Sequence, residues 1–258
     1  MTTCLFDAHL HIIDPRFPLV ANQGYLPPPF TAEDYRAASR SLGIGGGAVV
    51  SGSFQAFDQS YLTDALERLG PDFVGVTQLP AGVSNQELDR LNAAGVRALR
   101  FNLKRGGSAG LEDLEQLAQR AYRRVGWHVE LYIDSGDLAA IEARLKALPQ
   151  IVVDHLGLSG TDQPCLLRLV EAGAKVKATG FGRLDFSPGP FLRQIADIDP
   201  GALLFGSDLP STRAPRPFEA ADIALIEEVL SEAEAEAALY GNAVALYRPK
   251  GQRALSRS

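Results

Sequence analysis

The chain has 258 residues, 46% hydrophobic and 22% charged, with a net charge of −6 at neutral pH. This is ordinary globular composition with length enough for a large core, and its acidic balance argues against a nucleic-acid surface. Cys4 and Cys165 make no disulfide framework, no apolar run approaches the ~20 residues of a membrane span, and the N-terminus lacks a signal-like basic and apolar pattern, so a cytoplasmic protein with no membrane partner is expected.

In chain order, β-rich apolar runs fall at 5–12, 46–52, 73–79, 96–102, 128–134, 151–156, 175–181 and 202–208. Most are too apolar for one solvated face, as expected of parallel strands covered by helices. Amphipathic stretches separate them, several opening on Thr, Ser or Asp and stopping at Gly or Pro. Two more follow the eighth run, PFEAADIALIEEVL and SEAEAEAALYGNAVALY. The pattern predicts one domain over 1–258, a single (β/α)8 TIM barrel with an extra C-terminal helix. No G-x-G-x-x-G follows a strand, which weakens the doubly wound alternative. LPPPF (26–30) reads as a rigid piece of the first loop, and the tail GQRALSRS as frayed.

Chemistry in such a barrel sits at the C-terminal ends of the strands. The first run, FDAHLHIID, carries His9 and His11, which share a strand face. Asp7 shares their parity and is expected to orient one imidazole, and Asp14 should be a turn residue before Pro15. The second run ends in Ser51 and Ser53. The fourth ends in Arg100 and Asn102, with Lys104 and Arg105 beyond. Tyr132 tops the fifth, Asp154 and His155 the sixth, Arg183 follows the seventh, and Asp208 ends the eighth. Three of the four histidines thus fall at the catalytic rim; His128 starts the fifth run and should be structural, at the bottom.

FDAHLHI, GVRALRFNLKR, GWHVELYID, VVDHLG, FGRLD, LLFGSDLP and GNAVALY, taken in order, resemble the amidohydrolase superfamily (amidohydrolase-2 type), in the branch of 2-pyrone-4,6-dicarboxylate lactonase and related sugar-acid lactonases. The resemblance spans nearly the whole chain. SGSFQAFDQ and DLPSTRAP depart from the pyrone lactonase pattern in loops that would touch substrate. The resemblance implies a hydrolase that opens the lactone ring of a small anionic molecule. In that chemistry Asp208 activates water, while His9, His11 and His155 polarise the carbonyl. Arg100, Arg105 and Arg183 would hold substrate carboxylates as planar forks. Tyr132, Ser51, Ser53 and Asn102 would add hydrogen bonds, and Tyr25 a lid contact.

A binuclear metal site is not expected, because RFN offers no bridging carboxylate or Lys within the fourth run and VELYID has no His at its top, although Glu130 points to the interior in the alternation. His9, His11 and Asp208 would hold a single divalent ion such as zinc, with His155 nearby; the resemblance implies that none is required. The competing readings are a mononuclear zinc amidohydrolase or decarboxylase of the same superfamily, and an idle barrel that binds a small acid. The sequence leaves the oligomeric state open.

Overall fold

The structure is a computed structural model that describes residues 4–251, so the tail beyond Gly251 lies outside the described residues. Eight parallel strands, β1 (Leu5–Leu10), β2 (Ile44–Val50), β3 (Phe73–Thr77), β4 (Val96–Asn102), β5 (His128–Tyr132), β6 (Ile151–Val153), β7 (Lys175–Ala178) and β8 (Leu203–Phe205), hydrogen-bond in sequence order. Helices α1 (Ala32–Ser39), α2 (Ser60–Leu69), α3 (Asn85–Ala94), α4 (Leu114–Val125), α5 (Glu142–Lys146), α6 (Gln163–Glu171) and α7 (Pro188–Ile198) fill the connections, and α8 (Ala220–Val229), α9 (Glu232–Glu236) and α10 (Asn242–Tyr247) follow β8. The expected (β/α)8 barrel is present. The predicted runs overshoot most strands at their C-terminal ends, where the chain turns into short 3-10 turns such as Ser53–Gln55, His155–Gly157 and Phe181–Arg183. Those residues leave the ladder because they form the rim.

Strand alternation separates two packed layers. Val49, Leu99, Phe101, Val129, Leu131, Val153, Val176 and Phe205 face outward onto the helices. Phe6, Ala8, Ala48, Val50, Val74, Val76, Ala98, Val152 and Leu204 fill the lower interior. The C-terminal helix α10 closes the bottom of this interior: Tyr247 is fully buried and stacks on Phe6 with ring centroids 5.8 Å apart.

β1 changes phase along its length. Asp7 pairs with Gly47 and Leu10 with Val49, so three steps on β1 span two on β2. This one-residue bulge switches the faces. Phe6 and Ala8 point inward below it, and Leu10 points to the helices above it. His9 and His11 therefore face the mouth, whereas Asp7 does not share their face. The barrel closes at the mouth through two backbone bonds, from Asp208 N to His9 O (2.7 Å) and from His11 N to Leu209 O (2.8 Å). Gly206 permits that approach: a Cβ there would lie 2.7 Å from His9 Cβ and 2.8 Å from its backbone nitrogen.

Candidate active site

The bulge on β1 and the turns after β6 and β8 gather His9, His11, His155 and Asp208. The rings of His9 and His11 are 5.0 Å apart, and those of His9 and His155 are 4.7 Å apart. Asp208 Oδ1 lies 3.9 Å from His9 Nε2 and 3.7 Å from His11 Nε2. His9 Nε2 and Asp208 Oδ1 are both buried without a hydrogen-bond partner among the described residues. Unpaired buried polar atoms are costly, and these two are placed to bond a water or a substrate oxygen between them. Two of the four groups sit on left-handed backbone, Asp208 at φ 59° and His155 at φ 52°. Such conformations are strained for residues other than glycine and cluster at functional sites. Gly180 leaves room for His155, since a Cβ there would lie 2.5 Å from its Nδ1.

Electrostatics fix the charge states. Burial works to raise the Asp208 carboxyl, but the guanidinium of Arg183, 2.6 Å from Oδ2, then His155 and His11, hold it well below the usual carboxylate range. Burial pushes His155 down to about 4 and keeps it neutral near pH 7. His11 Nδ1 lies 2.7 Å from the Val50 carbonyl oxygen. A carbonyl only accepts, so Nδ1 carries a proton and Nε2 is the nitrogen that faces Asp208.

Below this group lies a buried ionic layer. Lys177, fully buried on β7, pairs with Glu130 on β5 and lies 3.4 Å from Asp154 Oδ1 and 3.3 Å from His9 Nδ1. Tyr247 donates to Glu130 from beneath, and His128 lies 3.1 Å from it, at the bottom as expected. Asp154 Oδ2 accepts from Arg100 Nη2 (3.0 Å). Burial raises the Asp154 carboxyl, yet Lys177, His9 and Arg100 hold it well below its ordinary value.

A small solvent-open cleft of about 40 Å³ lies above the four groups, floored by His11 and His155. Arg100, Arg105, Arg183, Tyr25, Tyr132, Ser53 and Asn102 line it. Arg100 and Arg183 are already matched by Asp154 and Asp208. Arg105 lies over Tyr132, 5.9 Å from the ring centre, and Asn102 Oδ1 accepts from its backbone nitrogen (3.0 Å).

Three expectations need correction. Ser51 does not line the cleft: its hydroxyl bonds Tyr61 OH (2.6 Å), and its carbonyl accepts from Arg100. Asp7 orients no imidazole, because the bulge turns it to the outer face. There it accepts from Tyr35 OH (3.0 Å), the Ser207 hydroxyl (2.5 Å) and the Ser207 and His9 backbone nitrogens, and burial pushes its carboxyl up to about 6. Asp154 and Lys177 stand where Asp7 was expected, at His9 Nδ1. Among the described residues the donor atoms close enough to share an ion, within 4.8 Å of one another, belong to His9, His155 and Asp208, so His155 replaces His11 in the expected trio. Two imidazoles and a carboxylate fit one divalent ion by donor type. Asp14 does make the expected turn, accepting from the Arg16 backbone nitrogen (3.0 Å).

Sequence reasoning missed Lys177, the role of Asp154, and Arg213. The signal for Lys177 was a lysine in the middle of a strand buried on both faces. Arg213 sits half-buried in the loop after β8, stacked 4.3 Å from the centre of the Tyr25 ring, and bonds the backbone carbonyl of Asn22. No carboxylate pairs with Arg105 or Arg213 among the described residues.

A family profile described as amidohydrolase matches residues 6–248. The chain is 29% identical over 225 residues to 4-sulfomuconolactone hydrolase of Rhizobium radiobacter, covering 80% of this chain and 75% of that protein. It is 28% identical over 233 residues to 2-pyrone-4,6-dicarboxylate hydrolase of Comamonas testosteroni, covering 79% and 76%. Among solved structures, a "probable 2-pyrone-4,6-dicarboxylic acid hydrolase" of Acinetobacter baumannii superposes with a TM-score of 0.81 at 21% identity, covering 96% of this chain and all of that one, a likeness of fold. No helix among the described residues is long and apolar enough to cross a membrane.

Proposed function

The chain belongs to the amidohydrolase family, and we propose that within it this protein hydrolyses the lactone ring of a small carboxylated molecule. The observation that carries the reading is the unpartnered Asp208 Oδ1 facing the unpartnered His9 Nε2 across 3.9 Å beneath an arginine-lined cleft. Two lactone hydrolases among the relatives support the substrate class.

Asp208 Oδ1 takes a proton from water as the water oxygen bonds to the carbonyl carbon. His11 Nε2, 3.7 Å from Asp208 Oδ1, hydrogen-bonds the same water and orients it without taking its second proton. His9 and His155 polarise the carbonyl oxygen and stabilise its developing charge. The ring C–O bond then breaks, and the proton passes from Asp208 to the departing oxygen, leaving an open-chain acid. Arg183 makes resting Asp208 a weak base, and a substrate carboxylate that shares Arg183 restores its basicity. Arg105 and Arg213, which have no carboxylate partner among the described residues, hold a substrate acid group, with Tyr25 and Tyr132 beneath them.

This chemistry requires no metal in our reading, because Arg183, Arg100 and Lys177 already supply positive charge around the two aspartates. The donor set favours a second reading: His9, His155 and Asp208 as ligands of one divalent ion, which would supply Lewis-acid polarisation of the carbonyl. A panel of carboxylated lactones, followed by proton release with and without chelator, tests both. Asp208→Asn should lower turnover at least ~100-fold, the lower end of a general-base contribution. Near-native turnover in that variant defeats the mechanism. Activity lost to chelator and restored by zinc selects the second reading.

A further inference from the structure

Two groups compete for His9 Nδ1. Asp154 Oδ1 and Lys177 Nζ each lie 3.3 Å from it. By alignment the hydrogen bond is made by the lysine: among the described residues Asp154 Oδ1, at the same distance, makes no well-aligned hydrogen bond, and its other oxygen accepts from Arg100. Lys177 is itself held from three strands. Glu130 on β5 pairs with it, Asp154 at the end of β6 lies 3.4 Å away, and its own strand β7 leaves it no exposed area. Tyr247 of α10 and His128 hold Glu130 from below.

An ammonium has donors and no lone pair, so an imidazole nitrogen bonded to it must be the unprotonated one. The single proton of neutral His9 then sits on Nε2, the atom that faces Asp208 Oδ1 and the cleft. Were Asp154 to win, the proton would sit on Nδ1 and Nε2 would become an acceptor, unable to donate to a carbonyl oxygen.

We infer that Lys177 is a positioning residue: bonded to His9 Nδ1, it fixes the tautomer that presents Nε2–H to the reacting carbonyl. The inference rests on the proposed role of His9 as a donor to that carbonyl. It also extends the working site downward, since Glu130 and Tyr247 hold Lys177 in place and make the C-terminal helix part of the support.

Protein labelled with 15N at histidine tests this by NMR, with the His9 signals identified by their loss in His9→Asn. In the wild type, His9 should show a protonated Nε2 and an unprotonated Nδ1. Lys177→Met should move the proton to Nδ1, toward Asp154. On the lactone that the wild type turns over, kcat should fall ~100-fold or more, the cost of one lost oxyanion donor, with KM changed far less. Lys177→Arg should keep the wild-type tautomer and much of the rate. If Lys177→Met does not fold with Glu130 left unpaired, the double variant Lys177→Met/Glu130→Gln carries the same test. A wild-type His9 protonated at Nδ1, or a tautomer unchanged by Lys177→Met, overturns the inference. Because the tautomer is read without turnover, a protein that hydrolyses no lactone but shows the Lys177-dependent shift defeats the proposed function and leaves the role of Lys177 standing.

Discussion

Replacing His155 by Gln should flatten part of the acid dependence of stability by a calculable amount. His155 is fully buried, and its folded value of about 4 lies below the ordinary histidine value of 6.5. A histidine whose folded pKa is lowered contributes stability that is complete above the unfolded value and is lost as pH falls toward the folded one, because only the unfolded chain takes up the proton. The difference amounts to about 3 kcal/mol between pH 7.5 and pH 4, of which about 2 kcal/mol is lost by pH 5. The wild-type curve alone is not the test. Asp7, raised from 3.8 to about 6, works in the opposite sense: the folded state binds its proton more tightly, so it adds stability as pH falls through the same window. His9, lowered by burial, adds to the His155 effect. The informative quantity is the difference between the wild-type and His155→Gln curves. Urea unfolding at several pH values, followed by the fluorescence of the single buried tryptophan, Trp127, measures it. The wild type should lose about 3 kcal/mol relative to the variant by pH 4. Parallel curves would show that His155 is not held neutral by burial, and would remove the basis for its proposed role as an uncharged hydrogen-bonding group.

Gly206→Ala should cost about 1–3 kcal/mol of stability, as overpacking does, and should lower kcat by displacing His9, which a thermal melt and a turnover assay read separately; unchanged kcat would mean that the seam at the mouth gives way without disturbing His9. Arg213→Gln should raise KM for a carboxylated lactone ~10-fold or more, the scale of one charge-assisted contact, and should leave its uncharged methyl ester nearly unaffected; equal losses on both would make Arg213 a strut between loops.

The eight strands were legible because parallel strands buried on both faces leave continuous apolar runs, and the rim followed from the polar residues at their ends. His9, His11, His155 and Asp208 were legible on that logic. Asp7 was misread because period-2 counting assumes an unbroken ladder, and nothing in FDAHLHI announces the bulge above Asp7. Ser51 was misread because strand position places a hydroxyl near the rim without saying that Tyr61 claims it. Lys177 was visible in KVKATGF but was not weighed as an interior charge. Arg213 had no signal, because its place depends on how the loop after β8 folds back toward Asn22.

The seam between β1 and the segment after β8 ties together residues far apart in the chain: Asp7 accepts from Ser207 across 200 positions. Contacts of such separation form late, since their loop entropy must be met before they reward it. His9 is synthesised about 200 residues before Asp208, so over that stretch of synthesis the histidine has no carboxylate of Asp208 opposite it. The proposed water-activating pair is therefore expected to form as this seam closes, and recovery of turnover during refolding should lag the recovery of helical signal and coincide with the burial of residues 206–209.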